Sequence, residues 1–180
     1  MLAYPVSNKP IDYTKPVFMQ PKLDGVRCLI QAEFTNVFKT LKVKAYSRTG
    51  KEWKNINHIL EQLVPFFDKH PDVILDGELY NHDFRNDFES IISMVRKQKP
   101  TREDMSKSAK HVQFHCYDIV DEKLPFKQRI EFINNNLMLL SSSIKIVYTM
   151  QITSHENALT FHESFVAGGY EGSILRTNDA

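Results

Sequence analysis

The sequence predicts an α+β domain of twisted, mainly antiparallel sheets with helices packed outside. Three observations predict it. Short β-prone runs such as Val26-Arg27-Cys28-Leu29-Ile30 and Val73-Ile74-Leu75 alternate with stretches whose apolar residues recur every three or four positions. Several of the strands follow one another as hairpins, which points to antiparallel pairing. At 180 residues the chain is one domain, long enough to bury a sizeable core.

Each element follows in order. Residues 1–16 carry three prolines and read as a lead-in loop. Pro16 to Pro21 is extended in character, because a proline biases its neighbour away from helix. Residues 17–46 read as two strands around a variable, Lys-rich tip near Asn36 to Thr40. After Gly50 the pattern turns helical, with Ile56, Ile59, Leu60, Leu63, Val64 and Phe67 recurring at three- and four-residue intervals and Pro71 helping to stop it. Val73 to Tyr80 is a strand, and Phe84, Phe88, Ile91, Ile92 and Val95 mark another amphipathic helix. Gln98 to Lys110 is polar, charged and contains Pro100, so it reads as a mobile loop. His111 to Val120 alternates as a strand, Phe126 to Leu140 is helical, and Ile144 to Ile152 is a strand. Glu156 to Val166 is a helix that Gly168-Gly169 ends, and Ser173 to Arg176 begins a last strand.

Composition narrows the class. The apolar and charged fractions, 42% and 25%, are those of a soluble globular protein. A formal charge of +1 gives no global argument for nucleic-acid binding. Local basic clusters exist at Lys39, Lys42 and Lys44, at Arg96, Lys97, Lys99 and Arg102, and at Lys107 and Lys110. Each could touch a phosphate backbone or be a solvated loop. Cys28 and Cys116 lie in apolar runs and read as buried, reduced thiols, which fits a cytosolic setting. The start Met1-Leu2-Ala3-Tyr4-Pro5 lacks the pattern of a signal peptide, and no apolar stretch reaches membrane length. The seven histidines have no metal-ligand spacing.

The string Lys22-Leu23-Asp24-Gly25-Val26-Arg27 carries the chemistry. It places an amine, a carboxylate and a guanidinium around one glycine, at a loop between two extended segments. A lysine amine attacks an electrophile once it is deprotonated, which nearby cations or burial promote. Arg27 suits an anionic substrate, Asp24 could orient the amine or fix the turn, and Gly25 allows a tight turn or a close approach to phosphate. Taken alone, Lys-x-Asp-Gly favours a surface hairpin of mixed charge.

The rest of the chain reverses that balance. Lys-x-Asp-Gly-x-Arg resembles the nucleophile motif of the covalent nucleotidyltransferases, the superfamily of ATP-dependent DNA ligases, RNA ligases and mRNA capping enzymes. Ser47-Arg48-Thr49-Gly50, Leu75-Asp76-Gly77-Glu78-Leu79-Tyr80, Phe114-His115-Cys116-Tyr117-Asp118-Ile119-Val120 and Gly169-Tyr170-Glu171-Gly172-Ser173-Ile174-Leu175-Arg176 resemble further motifs of the ligase branch, in the expected order. The matches span nearly the whole chain.

The resemblance implies an ATP-grasp-like nucleotidyltransferase domain over residues 1–180, with the nucleotide between two sheets. It implies that Lys22 attacks the α-phosphorus of ATP, expels pyrophosphate and keeps AMP as a phosphoramidate. Gln20, Lys22, Leu23, Arg27, Arg48, Glu78 and Tyr117 would bind the nucleotide. In this reading Gln20 reads the adenine amine, Arg27 and Arg48 lie near ribose and phosphates, Glu78 lies near the ribose, and Tyr117 stacks on the purine. Glu171, with Asp24, would serve Mg²⁺ (or Mn²⁺), and Asp76 would have a structural or metal-side role. The implied partners are ATP and nicked double-stranded DNA, with no membrane, for a monomer in the cytoplasm (the host's, if viral) or nucleus. The motif forms lean to a small, viral or phage-like ATP-dependent DNA ligase. An RNA ligase, a capping guanylyltransferase, and a nucleotide- or DNA-binding module of weak catalysis are the alternatives. The family's fifth motif, a Lys-x-Lys strand, and its OB-fold domain are expected beyond residue 176, so the chain reads as truncated before them.

Overall fold

A computed structural model of the chain describes residues 10–35, 40–137 and 142–179. Most of the predicted lead-in, the tip at 36–39 and the end of the helical stretch at 138–140 lie outside the described residues. The described residues form two sheets and five α-helices. The smaller sheet has the order β7-β1-β8, where β1 is Val17–Lys22, β7 is Met150–Ile152 and β8 is Gly172–Thr177. The larger has the order β3-β2-β4-β5-β6, built from β2 (Val26–Phe34), β3 (Leu41–Tyr46), β4 (Ile74–Tyr80), β5 (Gln113–Ile119) and β6 (Ile144–Ile146). All neighbours are antiparallel except β5 and β6. The predicted α+β class with mainly antiparallel sheets holds.

Period-two alternation decides which face of the large sheet is dry. Cys28 and Ile30 of β2, Leu75 and Leu79 of β4, and Phe114 and Cys116 of β5 are all buried. They pack on α1 (Asn57–Lys69), α2 (Phe88–Val95) and α4 (Phe126–Leu137) in one main core. Both cysteines are free thiols inside it, as expected. The other face carries Arg27, Asp76, Glu78, His115 and Tyr117. Strand β1 is buried on both sides from Val17 to Pro21, with Gln20 a buried polar residue among apolar ones. Phe18 joins the main core, whereas Met19 packs with Ile152, Ala158 and Phe165 beneath α5 (His155–Ala167). The even-numbered side chains of β1, Gln20 and Lys22 among them, therefore address the large sheet.

Three expectations are corrected. Residues 17–46, read as two strands, hold three, because the turn at Asp24-Gly25 separates β1 and β2 into different sheets. The stretch predicted as a mobile loop contains a helix, α3 (Arg102–His111), opened by a full capping box. The Thr101 hydroxyl accepts from the Asp104 N–H at 3.2 Å, and the Asp104 carboxylate accepts from the Thr101 N–H at 2.9 Å. Capping starts this helix although its sequence lacks an apolar stripe; Ser108 is its one buried residue. The single strand predicted at 144–152 is two. β6 pairs with β5 in the large sheet, the chain crosses at residues 147–149, and β7 pairs with β1 in the small one.

Candidate active site

Lys22 closes β1 opposite Gly172 of β8. Its ammonium forms an ion pair with Glu171, and the two side chains are 40% and 46% exposed. The Glu171 N–H donates to the Lys22 carbonyl at 3.2 Å, which holds the two backbones together. The first and fourth motifs thus meet at one point of the small sheet. Asp24 is exposed in the turn that follows. Gly25 lies against β4: a Cβ there would come 2.6 Å from both Glu78 Cγ and the Leu79 carbonyl oxygen. Its glycine serves this close approach of backbone to strand.

Arg27 and Glu78 are register partners between β2 and β4, and Glu78 is the partner of His115 on β5. Arg27 grips Asp76 with its Nε at 3.0 Å and its Nη2 at 2.7 Å. Burial first, and then the charge of Asp76, pushes the Glu78 carboxyl up to about 8, while Arg27 and Lys22 pull the other way. Glu78 is therefore mostly neutral at pH 7. Burial, followed by Lys145 and His82, pushes His115 down to about 4, so its imidazole is also neutral. Tyr117 is half-buried, and burial first, then the charge of Asp76, pushes its hydroxyl well above the ordinary tyrosine value.

Behind this face lies a polar cluster that sequence reasoning missed. Asp118 accepts from Arg129 Nε at 2.8 Å and from Arg176 Nη1 at 3.1 Å, and all three residues are largely withdrawn from water. Arg176 Nε donates to Gln20 Oε1 at 2.8 Å. The Gln20 amide donates to the Tyr117 carbonyl at 3.0 Å and to the Thr149 hydroxyl at 2.8 Å. Gln20 is 2% exposed, so its side chain ties the two sheets together and every polar atom of its amide has a protein partner. An adenine amine could use only the second lone pair of Oε1. The one available signal for this cluster was a charged residue within each of two strands, Asp118 in β5 and Arg176 in β8.

Arg48 sits apart from these residues in the connectivity. It is exposed in the turn Ser47–Gly50, where Gly50 takes φ +81° and donates to the Ser47 carbonyl. A cleft of about 380 Å³ opens beside the loop that follows Lys22, lined by Pro21, Leu23, His82, His115, Lys145 and Tyr148 among others. Of the predicted site residues, Leu23 alone lines it.

Among the described residues, no three His, Cys, Asp or Glu side chains gather as a metal cage. Asp24 and Glu171 each offer a partly or fully exposed carboxylate, a ligand type that magnesium takes in ones and twos beside phosphate oxygens and water. No described helix is long and apolar enough to cross a membrane.

A lysine at the end of a strand, paired with a carboxylate from the bend that precedes a second strand and beside a sheet face of arginine, acids and tyrosine, defines a nucleotidyltransferase-type domain. The chain belongs to the ATP dependent DNA ligase domain family, whose model matches residues 1–180. It is 29% identical over 170 residues to a DNA ligase of African swine fever virus (isolate Pig/Kenya/KEN-50/1950). That match covers 92% of this chain and 37% of the relative, so the chain spans little more than a third of that relative's length. Among solved structures, a Lig E DNA ligase superposes with a TM-score of 0.72 at 20% identity, covering 99% of this chain and 61% of that one. A Chlorella virus DNA ligase-adenylate superposes at 0.62 and 19% identity, covering 92% and 54%.

Proposed function

We propose that this chain is the adenylation domain of an ATP-dependent DNA ligase, with Lys22 as nucleophile. The observation that carries the reading is the meeting of Lys22 and Glu171 at the rim of the face built by Arg27, Asp76, Glu78 and Tyr117. The Lys22 Nζ attacks the α-phosphorus of ATP, a P–N bond forms, the bond to the pyrophosphate oxygen breaks, and the amine loses a proton. A free lysine is protonated at neutral pH, and Glu171 is the carboxylate that touches its ammonium. The AMP then passes to a 5′-phosphate at a nick in duplex DNA, and the neighbouring 3′-hydroxyl displaces it as the strand is sealed.

Arg27, oriented by Asp76, faces phosphate or ribose oxygens. Glu78, neutral at pH 7, can donate a hydrogen bond to a ribose hydroxyl. Tyr117 offers a flat face to the purine, a contact worth on the order of 1–3 kcal/mol. Arg48 reaches the nucleotide or the DNA from its exposed turn. Glu171 and Asp24 would hold a magnesium ion, which when bound neutralises phosphate charge. The named relatives support this reading: one is a DNA ligase and one a ligase-adenylate.

The test is sealing of a singly nicked DNA duplex by the full-length protein, with ATP or GTP supplied and nicked RNA in parallel. Sealing of nicked DNA with ATP is expected. Use of GTP, or sealing of RNA alone, would move the protein to the capping or RNA-ligase branch.

A further inference from the structure

Tyr117 is held from two directions. Its carbonyl accepts from Gln20. The Arg176 guanidinium lies over its ring, with Cζ 5.2 Å from the centroid. Tyr117 belongs to the large sheet and Arg176 to the small one, so this contact spans the gap between them.

The geometry of Arg176 leaves it little freedom. Nε is committed to Gln20 and Nη1 to Asp118. Asp118 is itself fixed by two bonds from Arg129, at 2.8 and 3.3 Å. The Phe126 ring also lies against the guanidinium, with its centroid 5.1 Å from Cζ. A planar fork is needed to meet Gln20, Asp118 and two rings at once; a lysine ammonium is a point charge and cannot do so. Arg176 was part of a motif in the sequence, yet the nucleotide chemistry above assigns it no task.

We propose that Arg176 is a positioning residue for base binding: it fixes the plane of the Tyr117 ring, and so the face on which the purine stacks, without touching the nucleotide itself. This rests on Tyr117 being the base platform of the proposed adenylation site. The purine stacks on the ring face that Arg176 does not cover. The guanidinium keeps the ring from tilting when the cleft is empty, so its loss is felt as weaker binding of the base and not of the phosphates.

The experiment measures equilibrium binding of ATP and of inorganic tripolyphosphate to the full-length protein by calorimetry. The variants are Arg176→Met, Arg176→Lys, Tyr117→Ala and the double Tyr117→Ala/Arg176→Met. Arg176→Met and Arg176→Lys are expected to weaken ATP by about tenfold, within the range that loss of one stacking contact spans. Tripolyphosphate, which has no base, should bind all variants as it binds the wild type. In the Tyr117→Ala background Arg176→Met should cost nothing further, because the two act as one unit. Arg176→Lys keeps a buried cation beside Asp118 and carries the test if the methionine variant does not fold. An equal loss of tripolyphosphate affinity, full additivity with Tyr117→Ala, or unchanged ATP binding would each overturn the positioning role alone. Failure of the wild type to bind ATP, or an unchanged affinity in Tyr117→Ala, would instead overturn the reading on which it rests.

Discussion

Arg27 reaches diagonally across the β2–β4 ladder to Asp76 in a two-point grip, at 3.0 and 2.7 Å, with the two side chains 24% and 11% exposed. Asp76 thereby does two jobs. It fixes the direction of the Arg27 fork, and its charge helps keep the neighbouring Glu78 carboxyl protonated.

Replacing Asp76 by Asn should be costly, because it leaves the Arg27 cation without its carboxylate in a partly dry site. A loss of about 3 kcal/mol is expected, the low end for breaking a buried pair. Urea unfolding of the variant against wild type measures it. A loss below the range of an exposed pair, about 1 kcal/mol, would show that water already satisfies Arg27.

Glu78 makes stability depend on pH in a defined direction. Its pKa is raised in the fold, so the native state holds this proton more tightly than the unfolded chain does. Its contribution is complete below the ordinary carboxyl value of 4.5 and is lost as pH rises through about 8. His115 has the opposite sign. Its native value of about 4 lies below the usual 6.5, so its contribution is lost as pH falls from 6.5 towards 4. Glu78→Gln should therefore gain stability relative to wild type between pH 5 and 8, and the gain should level off above 8. A constant offset in melting temperature across that range would contradict the assignment.

Much of the fold was legible because burial imposes a period. The helix around Ile59 and Leu63 buries one face and its apolar spacing says so, while the strand Val73 to Tyr80 opens on a short apolar run that marks a central strand. Helix α3 was not legible by that signal, since Ser108 is its one buried residue and its polar face resembles a loop. The Thr101-Asp104 capping box was its readable mark. The split between β6 and β7 was hidden for another reason: both are short and β-prone, and no local pattern states which sheet a strand will join. The site divides in the same way. Lys22, Arg27 and Glu78 stood in recognisable strings, but the Arg129–Asp118–Arg176 cluster exists only when three distant segments come together.

The capping box gives a prediction of its own. Thr101→Ala should cost about 1 kcal/mol and loosen α3 first, because it removes the acceptor for the Asp104 N–H. Hydrogen exchange should show faster amides at the start of α3 with the β-sheet amides unchanged. Uniformly faster exchange would mean that α3 does not open on its own.

Glu171→Ala should impair the adenylation step far more than it weakens ATP binding. In the structure its carboxylate pairs with the Lys22 ammonium, the amine proposed to attack. Single-turnover adenylation rates at saturating ATP, set against ATP dissociation constants, separate the two effects. A large loss of affinity with an unchanged saturating rate would remove Glu171 from the chemistry.

The central claim is that Lys22 becomes covalently adenylated, and intact-mass analysis after incubation of the full-length protein with ATP and Mg²⁺ tests it most directly. The account predicts a gain of one AMP in the wild type, acid-labile and alkali-stable, mapping to the peptide that contains Lys22 and absent from a folded Lys22→Ala variant. An adduct that survives in Lys22→Ala, or that maps to another residue, would contradict it.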